Sequence, residues 1–339
     1  MKYFFVNLLL NIFYKSPEWF LNIFFRKSDY LRGNNLDQQA NVFLKLIGVL
    51  GYKPDVDDFN HKERLQTNLA RISLNLNKKP PSTFSYVDLI ITKSDNLLTR
   101  EYTPNIIQSD KVMLYFHGGG YVLGSVDTHH DFVALLAIKL GIKIYSVEYS
   151  LSPESKYPKA LYEAKQAYNW LLNKGVKNTN VLVCGDSAGA HLAASLSFNL
   201  AEGNNPMPSA QILIYPMVSP TLKFESMDLY GEGFLLTKAS MEWFWKQFRA
   251  GQKDNSDPMF NLLEQDRPNY TQTESLVITA GFDPLCDEGN EYAKLLEESG
   301  NIVKKLHFPD LFHGFVNFTN LSKAESGVQT IIQTIKRSL

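Results

Sequence analysis

A glycine–x–serine–x–glycine pentapeptide constrains the fold of this chain more than any other stretch. It occupies residues 185–189, with Ser187 at its centre. An apolar run typical of a buried strand, residues 181–184, leads into it, and small residues with helical spacing, 188–200, follow it. The two glycines let the strand and the helix approach closely, so the pattern predicts a strand, a sharp turn and a helix. Such a turn holds the serine hydroxyl at the carboxyl end of the strand, whereas a plainer interpretation makes Ser187 a helix N-cap.

Strands and helices alternate along most of the remaining chain. Apolar runs predict eight strands, at residues 86–92, 97–103, 112–116, 142–147, 181–184, 211–215, 276–279 and 302–308. Helical periodicity predicts helices at residues 36–50, 62–76, 131–140, 161–172, 188–200, 237–248, 287–298 and 323–336. Alternation of this kind builds a parallel sheet with helices on both faces. The sequence therefore predicts an α/β fold with an eight-stranded, mostly parallel sheet.

Two parts of the chain fall outside this alternation. Residues 219–273 are too long for a simple crossover and predict an insertion over the carboxyl end of the sheet. Residues 1–34 begin with an apolar segment whose polar residues share one helical face, which indicates amphipathic helices split at Ser16-Pro17. These helices fit a lid on the domain, an interfacial membrane anchor or, with less support, an export signal. Residues 1–26 are thus a candidate for peripheral membrane contact.

Composition excludes several classes of protein. The chain has 339 residues, of which 44% are hydrophobic, so it can bury a large core. Its formal net charge of −1 gives no reason to expect a nucleic acid partner. The two cysteines cannot form a disulfide framework, and no cysteine or histidine cluster has the spacing of a zinc site. We expect a cytoplasmic protein, with membrane association through residues 1–26 and oligomerisation left open.

A serine nucleophile needs a base to accept its proton and an acid to orient that base. In an open parallel sheet these partners are expected after the carboxyl ends of later strands. Asp283 follows the strand at 276–279, and His313 follows the last strand, which gives the chain order serine, aspartate, histidine. Asp287 is the rival acid, but its place favours capping the next helix. Structural or surface roles are expected for the other histidines considered: His61, His129, His130, His191 and His307.

A glycine-rich loop directly follows the buried strand at 112–116. Its sequence, His117 to Gly120, supplies amides that no side chain obstructs. Attack on an ester carbonyl puts negative charge on its oxygen, which backbone amides can stabilise. The loop and the amide of Ala188 are therefore predicted to form an oxyanion hole. A plain glycine turn is the alternative, and His117 is expected to brace the loop rather than to act as a base.

Four motifs follow one another in a characteristic order and spacing. They are His117-Gly118-Gly119-Gly120-Tyr121, Gly185-Asp186-Ser187-Ala188-Gly189, Asp283-Pro284-Leu285-Cys286-Asp287-Glu288-Gly289 and His313-Gly314-Phe315. Together they resemble the hormone-sensitive-lipase-like family of α/β-hydrolase carboxylesterases, from about residue 36 to the C-terminus. The site residues that this resemblance implies are a triad of Ser187, Asp283 and His313 and the oxyanion donors Gly119, Gly120 and Ala188.

The resemblance carries further expectations about organisation. It implies a hydrolase domain of residues 35–339, whose cap is built from about residues 35–80 and from the insertion at 219–273. Two departures from the family's pattern stand out. Ala190-His191 replaces a common Gly-Asn, which is expected to alter packing behind the nucleophile but not the triad. The first thirty or so residues have no counterpart in compact members, whereas membrane-anchored deacetylase relatives carry an N-terminal hydrophobic segment.

The residues and the resemblance together predict a serine carboxylesterase that hydrolyses short to medium acyl esters through an acyl-enzyme. Its partner is a small-molecule ester, and no metal or organic cofactor is required. Aromatic side chains expected to line the substrate pocket are Tyr215, Trp243 and Phe244, with Phe248 on the same helix face. Three alternatives remain, one of which is a lipid-droplet or membrane-associated lipase that only the amphipathic N-terminal segment supports. An amide or acyl-amine hydrolase would use the same residues, and a non-catalytic ligand receptor is disfavoured because His313 is present.

Overall fold

An eight-stranded sheet organises the protein. The computed structural model describes residues 13–14, 16, 20–21, 30–49, 77–92, 96–266 and 273–337. A short hairpin, β1 (Tyr30–Leu31) and β2 (Asn34–Asn35), precedes the sheet. The strands of the sheet are β3 (Phe84–Thr92), β4 (Leu97–Pro104), β5 (Val112–Phe116), β6 (Lys143–Glu148), β7 (Val181–Asp186), β8 (Ala210–Ile214), β9 (Glu274–Phe282) and β10 (Val303–Phe312). Their spatial order is β10-β9-β8-β7-β5-β6-β4-β3.

The sheet is parallel except at one edge. β4 pairs antiparallel with β3 and with β6, while every other neighbouring pair is parallel. Every residue of β5, β7 and β8 is buried, because these central strands are covered on both faces, and most of their residues are apolar. The prediction of eight mostly parallel strands is confirmed. β9 and β10 are longer than predicted, so that Asp283 and His313 follow their strands directly rather than after short loops.

The main helices lie against the faces of the sheet. They are α1 (Gln38–Val49), α2 (His130–Leu140), α3 (Lys159–Asn173), α4 (Ala188–Glu202), α5 (Glu225–Leu229), α6 (Lys238–Phe248), α7 (Cys286–Glu298) and α8 (Ser322–Lys336). Seven of them agree with the predicted helices to within two residues at each end. The predicted helix at 62–76 lies outside the described residues. Buried side chains form one large hydrophobic cluster with α2 and α8 and a second with α3, α4 and α7.

The segment between β8 and β9 contains the predicted helix and one that was not predicted. α6 begins after Thr237, whose hydroxyl accepts a hydrogen bond from the amide of Ser240 at 3.0 Å. Its buried residues Met241, Trp245 and Phe248 recur at helical spacing and join the cluster that contains α4 and α7. The five-residue α5 has too few residues to show a helical period, which is why the sequence did not reveal it.

The described residues of the N-terminal segment pack onto the core. Phe13 and Leu21 are buried in the same cluster as Phe43 of α1. The ring of Tyr14 lies 6.5 Å from that of Phe43. Among the residues that the structure describes, no helix is long and apolar enough to cross a membrane. Residues 30–34 lie in the short hairpin, and the rest of the predicted segment 1–34, apart from residues 13–14, 16 and 20–21, falls outside the described residues.

Candidate active site

Ser187 lies at a strained turn between β7 and α4. Its φ of 55° and ψ of −118° belong to a backbone region that residues other than glycine rarely adopt. A Cβ atom on Gly185 would lie 2.3 Å from the carbonyl carbon of Gly189, and one on Gly189 would lie 2.0 Å from the Phe116 oxygen. Only glycine fits at these two positions. The Ser187 hydroxyl makes no capping hydrogen bond to α4, so the interpretation of this side chain as a helix cap is wrong.

The Ser187 hydroxyl is instead hydrogen-bonded to the imidazole of His313. The distance from Oγ to Nε2 is 3.0 Å, and Nδ1 of the same ring lies 2.8 Å from Oδ2 of Asp283. The second carboxylate oxygen of Asp283 accepts from the amide of Leu285 at 2.8 Å. All three side chains of this series are buried. Because a carboxylate can only accept, Nδ1 carries the proton and Nε2 can accept one from the serine.

The rival acid, Asp287, has other partners. Its carboxylate binds the guanidinium of Arg32 at 2.7 and 3.0 Å and accepts from the amide of Ser226 at 2.9 Å. The prediction that Asp287 caps the next helix is wrong, because α7 begins at Cys286 and its N-cap residue is Leu285. Asp287 therefore ties the N-terminal hairpin and α5 to the first turn of α7.

The glycine-rich loop bends sharply beside Ser187. Gly119 has a φ of 125°, and a Cβ there would lie 2.0 Å from the Leu123 oxygen. Gly120 has a φ of 62°, and a Cβ there would lie 2.2 Å from the ring of Phe244. Within the part of the chain that the structure describes, the amides of Gly119, Gly120 and Ala188 donate to no acceptor. These three predicted donors are thus free to bind a substrate oxygen.

A buried carboxylate that the sequence did not reveal holds this loop. Oδ1 of Asp186 accepts from the amide of Gly118 at 2.9 Å and from the hydroxyl of Tyr115 at 2.6 Å, and lies 3.4 Å from Nε2 of His129. Burial raises the pKa of this carboxyl, but His129 and the hydroxyl of Tyr115 outweigh burial, so the pKa lies below its usual value. Asp186 occupies the variable position before the serine in the pentapeptide, so the motif alone predicts no role for it.

His117 braces the same loop, as expected. Its Nδ1 lies 2.9 Å from the carbonyl of Gly118, and its ring stacks on that of Tyr149 with the centroids 4.3 Å apart. The hydroxyl of Tyr149 donates to the carbonyl of His117 at 2.6 Å. Burial, with a smaller contribution from His129, lowers the pKa of His117 to about 3, so the ring is neutral near pH 7.

The aromatic residues expected around the pocket occupy different environments. Phe244 and Trp243 are half-buried and pack against Val122, which follows the glycine-rich loop. Tyr215 is buried behind the imidazole, with its ring 4.6 Å from that of His313. Phe248 is a core residue whose ring stacks on Tyr121.

The side chains of His130 and His307 form hydrogen bonds with neighbours other than the triad. A ring nitrogen of His130 lies 3.1 Å from the Tyr102 hydroxyl, and one of His307 lies 2.9 Å from the Thr279 hydroxyl. His191 is buried on α4, one turn after the nucleophile. The prediction for His61 falls outside the described residues.

Comparison with known proteins agrees with this arrangement. A family model described as "alpha/beta hydrolase fold" matches residues 113–317. The carboxylic ester hydrolase LipN of Mycobacterium tuberculosis is 32% identical over 330 residues, which cover 92% of this chain and 86% of the relative. Ethyl acetate hydrolase of Pseudomonas putida is 31% identical over 269 residues, covering 76% and 84%. The solved structure of a hyperthermophilic esterase from Pyrobaculum calidifontis superposes with a TM-score of 0.79 at 31% identity, covering 89% and 98%.

Fold and comparisons together define the class as an α/β hydrolase. More narrowly, the chain belongs to the hormone-sensitive-lipase-like family of carboxylesterases, as the four motifs indicated. It is a carboxylic ester hydrolase that acts on small-molecule esters.

Proposed function

We propose that the protein hydrolyses short to medium acyl esters by a serine mechanism with an acyl-enzyme intermediate. The observation that carries the proposal is the continuous series of hydrogen bonds from Ser187 through His313 to Asp283. Each donor in that series faces an acceptor, and the serine is held in a strained conformation that places its hydroxyl at the carboxyl end of the sheet. Nucleophile, base and orienting acid therefore lie in the order that acyl transfer needs.

The proposed reaction has two halves that use the same base. Nε2 of His313 accepts the proton of Ser187 as the oxygen attacks the ester carbonyl, and then gives that proton to the departing alcohol. In the second half, water loses its proton to the same nitrogen and attacks the acyl-enzyme, which releases the carboxylic acid and restores the serine. Asp283 keeps the imidazole in the required tautomer and stabilises the imidazolium.

The amides of Gly119, Gly120 and Ala188 are the proposed donors to the oxyanion. Their lack of an acceptor among the described residues supports this role, because amides that the fold leaves without an acceptor are available to a ligand. The negative charge that develops on the carbonyl oxygen in the tetrahedral intermediate would bind these donors more strongly than the neutral ester does.

The preference for short to medium acyl chains rests on the side chains beside the site. The ring of Phe244 packs onto Gly120, and Trp243 lies 5.3 Å from that ring. On the side of the histidine, a methyl carbon of Leu235 would lie 3.7 Å from a Cβ on Gly314. Large apolar groups on both sides favour an acyl chain of limited length.

The test is hydrolysis of p-nitrophenyl esters of graded acyl length by the parent and by Ser187→Ala. We expect turnover that disappears in the variant, with the highest kcat/KM at short to medium chains, and a shift of the optimum to longer chains in Phe244→Ala. Turnover unchanged in Ser187→Ala would contradict the nucleophile. Activity confined to acyl amides would favour the amide hydrolase instead.

We also propose that the N-terminal segment and the insertion cover the domain as a cap. Burial of Phe13 and Leu21 in the main core favours a lid over an anchor that lies in a membrane. Flotation with anionic vesicles, using the full chain beside one that lacks residues 1–34, separates the two. Recovery of both chains in the aqueous fraction is the expected result, and flotation of the full chain alone would support membrane contact.

A further inference from the structure

His191 departs from the family's usual residue and makes two hydrogen bonds that connect separate parts of the site. It lies on α4, one turn after Ser187. Its Nδ1 lies 2.6 Å from the hydroxyl of Tyr121, the residue that follows the glycine-rich loop. Its Nε2 lies 3.0 Å from the carbonyl of Phe260, in the insertion.

The partners fix the proton positions in this network. A carbonyl oxygen only accepts, so Nε2 carries the proton and donates to Phe260. Nδ1 is then an acceptor, and the hydroxyl of Tyr121 donates to it. Ser195 also approaches Nδ1, at 3.4 Å, but its hydroxyl donates to the Met259 carbonyl at 2.7 Å. Burial lowers the pKa of His191 to about 4, which keeps the ring neutral and this pattern intact near pH 7.

Tyr121 is well placed to set the direction of the glycine-rich loop. It follows Gly120 directly and has a φ of 63°, a left-handed conformation that needs support in a residue with a large side chain. Its ring stacks on Phe248 of α6 with the centroids 3.7 Å apart and the planes 1° from parallel. Its carbonyl accepts from the amide of Ser152 at 2.7 Å. The hydrogen bond from its hydroxyl to His191 also holds this side chain in place.

We propose that His191 is a positioning residue for the oxyanion hole. Its Nδ1 accepts a hydrogen bond from the Tyr121 hydroxyl and so fixes the end of the loop that carries Gly119 and Gly120. Its Nε2 donates a hydrogen bond to the Phe260 carbonyl and so couples that loop to the insertion. This inference rests on the proposed function, because the amides matter only if an oxyanion forms. A misdirected amide weakens binding of the transition state more than binding of the ester, so kcat falls while KM changes little.

Two substitutions separate the two hydrogen bonds of His191. In His191→Asn the amide oxygen occupies the place of Nδ1 and can accept a hydrogen bond from Tyr121, but the shorter side chain has no donor that reaches the Phe260 carbonyl. In His191→Gln the terminal amide reaches the place of Nε2 and can donate to Phe260, but Tyr121 loses its acceptor. We expect kcat for a p-nitrophenyl ester to stay near the parent value in His191→Asn. We expect it to fall about tenfold in His191→Gln, with KM unchanged, which is a fraction of the loss of a whole oxyanion donor.

Removal of the other partner tests the same bond. Tyr121→Phe should lower kcat to the same extent as His191→Gln, and the double variant should be no worse than either single one, because both remove one interaction. Ser195→Ala is the matched control on the same helix. It loses the bond to Met259 but not the bond to Tyr121, so we expect lower thermal stability with an unchanged kcat.

Several results would overturn the inference. Equal losses of kcat in His191→Asn and His191→Gln, or additive losses in the double variant, would show that the bond to Tyr121 does not direct the loop. The ¹⁵N chemical shift of Nδ1 in the parent and in Tyr121→Phe checks the bond without turnover, and an identical shift would exclude it. Since the parent and Ser187→Ala are assayed first, absence of esterase activity is recognised separately as failure of the proposed function.

Discussion

Two buried carboxylates lie near Ser187, and each accepts a hydrogen bond from one side chain and one backbone amide. Asp283 accepts from the imidazole of His313 and from the amide of Leu285. Asp186 accepts from the amide of Gly118 and from the hydroxyl of Tyr115. The two acids differ in which part of the site they hold, because Asp283 orients the imidazole of His313 whereas Asp186 fixes the backbone of the glycine-rich loop at Gly118.

The two partners differ in how many other contacts hold them. The glycine-rich loop has further supports, since the Gly119 carbonyl accepts from the amides of Val122 and Leu123 and the Tyr149 hydroxyl donates to the carbonyl of His117. Among the residues that the structure describes, Nδ1 of His313 has one hydrogen-bond partner, Asp283. A side chain with a single orienting bond is more sensitive to the loss of that bond than a loop with several. We therefore expect the triad acid to matter more for kcat than the acid beside the nucleophile.

The largest effect is expected for Asp283→Asn. The amide can donate to Nδ1 and so favours the wrong imidazole tautomer, which typically lowers kcat by about 10⁴ in a triad of this kind. Asp287→Asn is the matched control, four residues along the same motif, because it loses a bond to Arg32 and none to His313. Steady-state kinetics on one ester check both variants. A similar loss of kcat in both would remove the distinction between the two acids of the motif.

Gly119→Ala is expected to have the next largest effect. A Cβ at this position would lie 2.0 Å from the Leu123 oxygen, so the loop must move and its amides with it. Removal of an oxyanion donor typically lowers kcat by about 10²–10³. Gly175→Ala is the control, since Gly175 also has a positive φ, of 87°, but open space around it. It should lose some stability at an unchanged kcat, and equal loss of kcat in both would exclude a local effect at the loop.

Asp186→Asn is expected to lower kcat by about tenfold, less than either change above. The amide oxygen still accepts from Gly118, but the negative charge of the carboxylate beside His129 is lost. The variant keeps its shape, so thermal unfolding should reveal only a modest change in stability. A loss of kcat as large as that of Asp283→Asn would contradict the expected difference between the two acids. The loop would then depend on Asp186 as strongly as the imidazole depends on Asp283.

The sequence predicted one of these acids and not the other for a physical reason. Asp283 could be predicted because parallel strands end at one edge of a sheet, which brings residues after β9 and β10 together. The role of Asp186 depends on the fold of the loop beside it, which periodicity does not report. Strand and helix positions followed the apolar pattern closely, whereas the pairing of His191 with Tyr121 and Phe260 depends on contacts between distant segments.

A third buried carboxyl group, that of Glu288, differs from Asp186 in the direction of its pKa shift. It lies on α7, and one oxygen accepts from the amide of Val218 at 2.7 Å. Burial raises its pKa from the ordinary value of 4.5 to about 8, against the opposing effect of the backbone bonds from Val218 and Ser219. The folded protein therefore keeps this proton near pH 7, whereas the unfolded chain has lost it.

The sign of the resulting stability change follows from proton linkage. Between the ordinary value and about pH 8 the unfolded chain binds fewer protons than the folded one, so the free energy of unfolding decreases as the pH rises. Glu288→Gln keeps an acceptor for Val218 but does not ionise, so this decrease should be smaller in the variant. Urea unfolding at several pH values in this range checks it, and parallel profiles for parent and variant would show that Glu288 does not titrate as proposed.

For Asp186 we expect the opposite pH dependence of the free energy of unfolding, and this is the smallest of the expected effects. Its pKa lies below the ordinary value of 3.8, so its charged form stabilises the fold above that value, and the stabilisation is lost as the pH falls through the folded pKa. Asp186→Asn should therefore reduce the difference in stability between neutral and acidic solution, whereas Glu288→Gln changes the pH dependence between 4.5 and about 8. Two acids with opposite pH profiles would show that hydrogen-bonded and ionic partners, and not burial alone, decide which buried carboxylates stay charged.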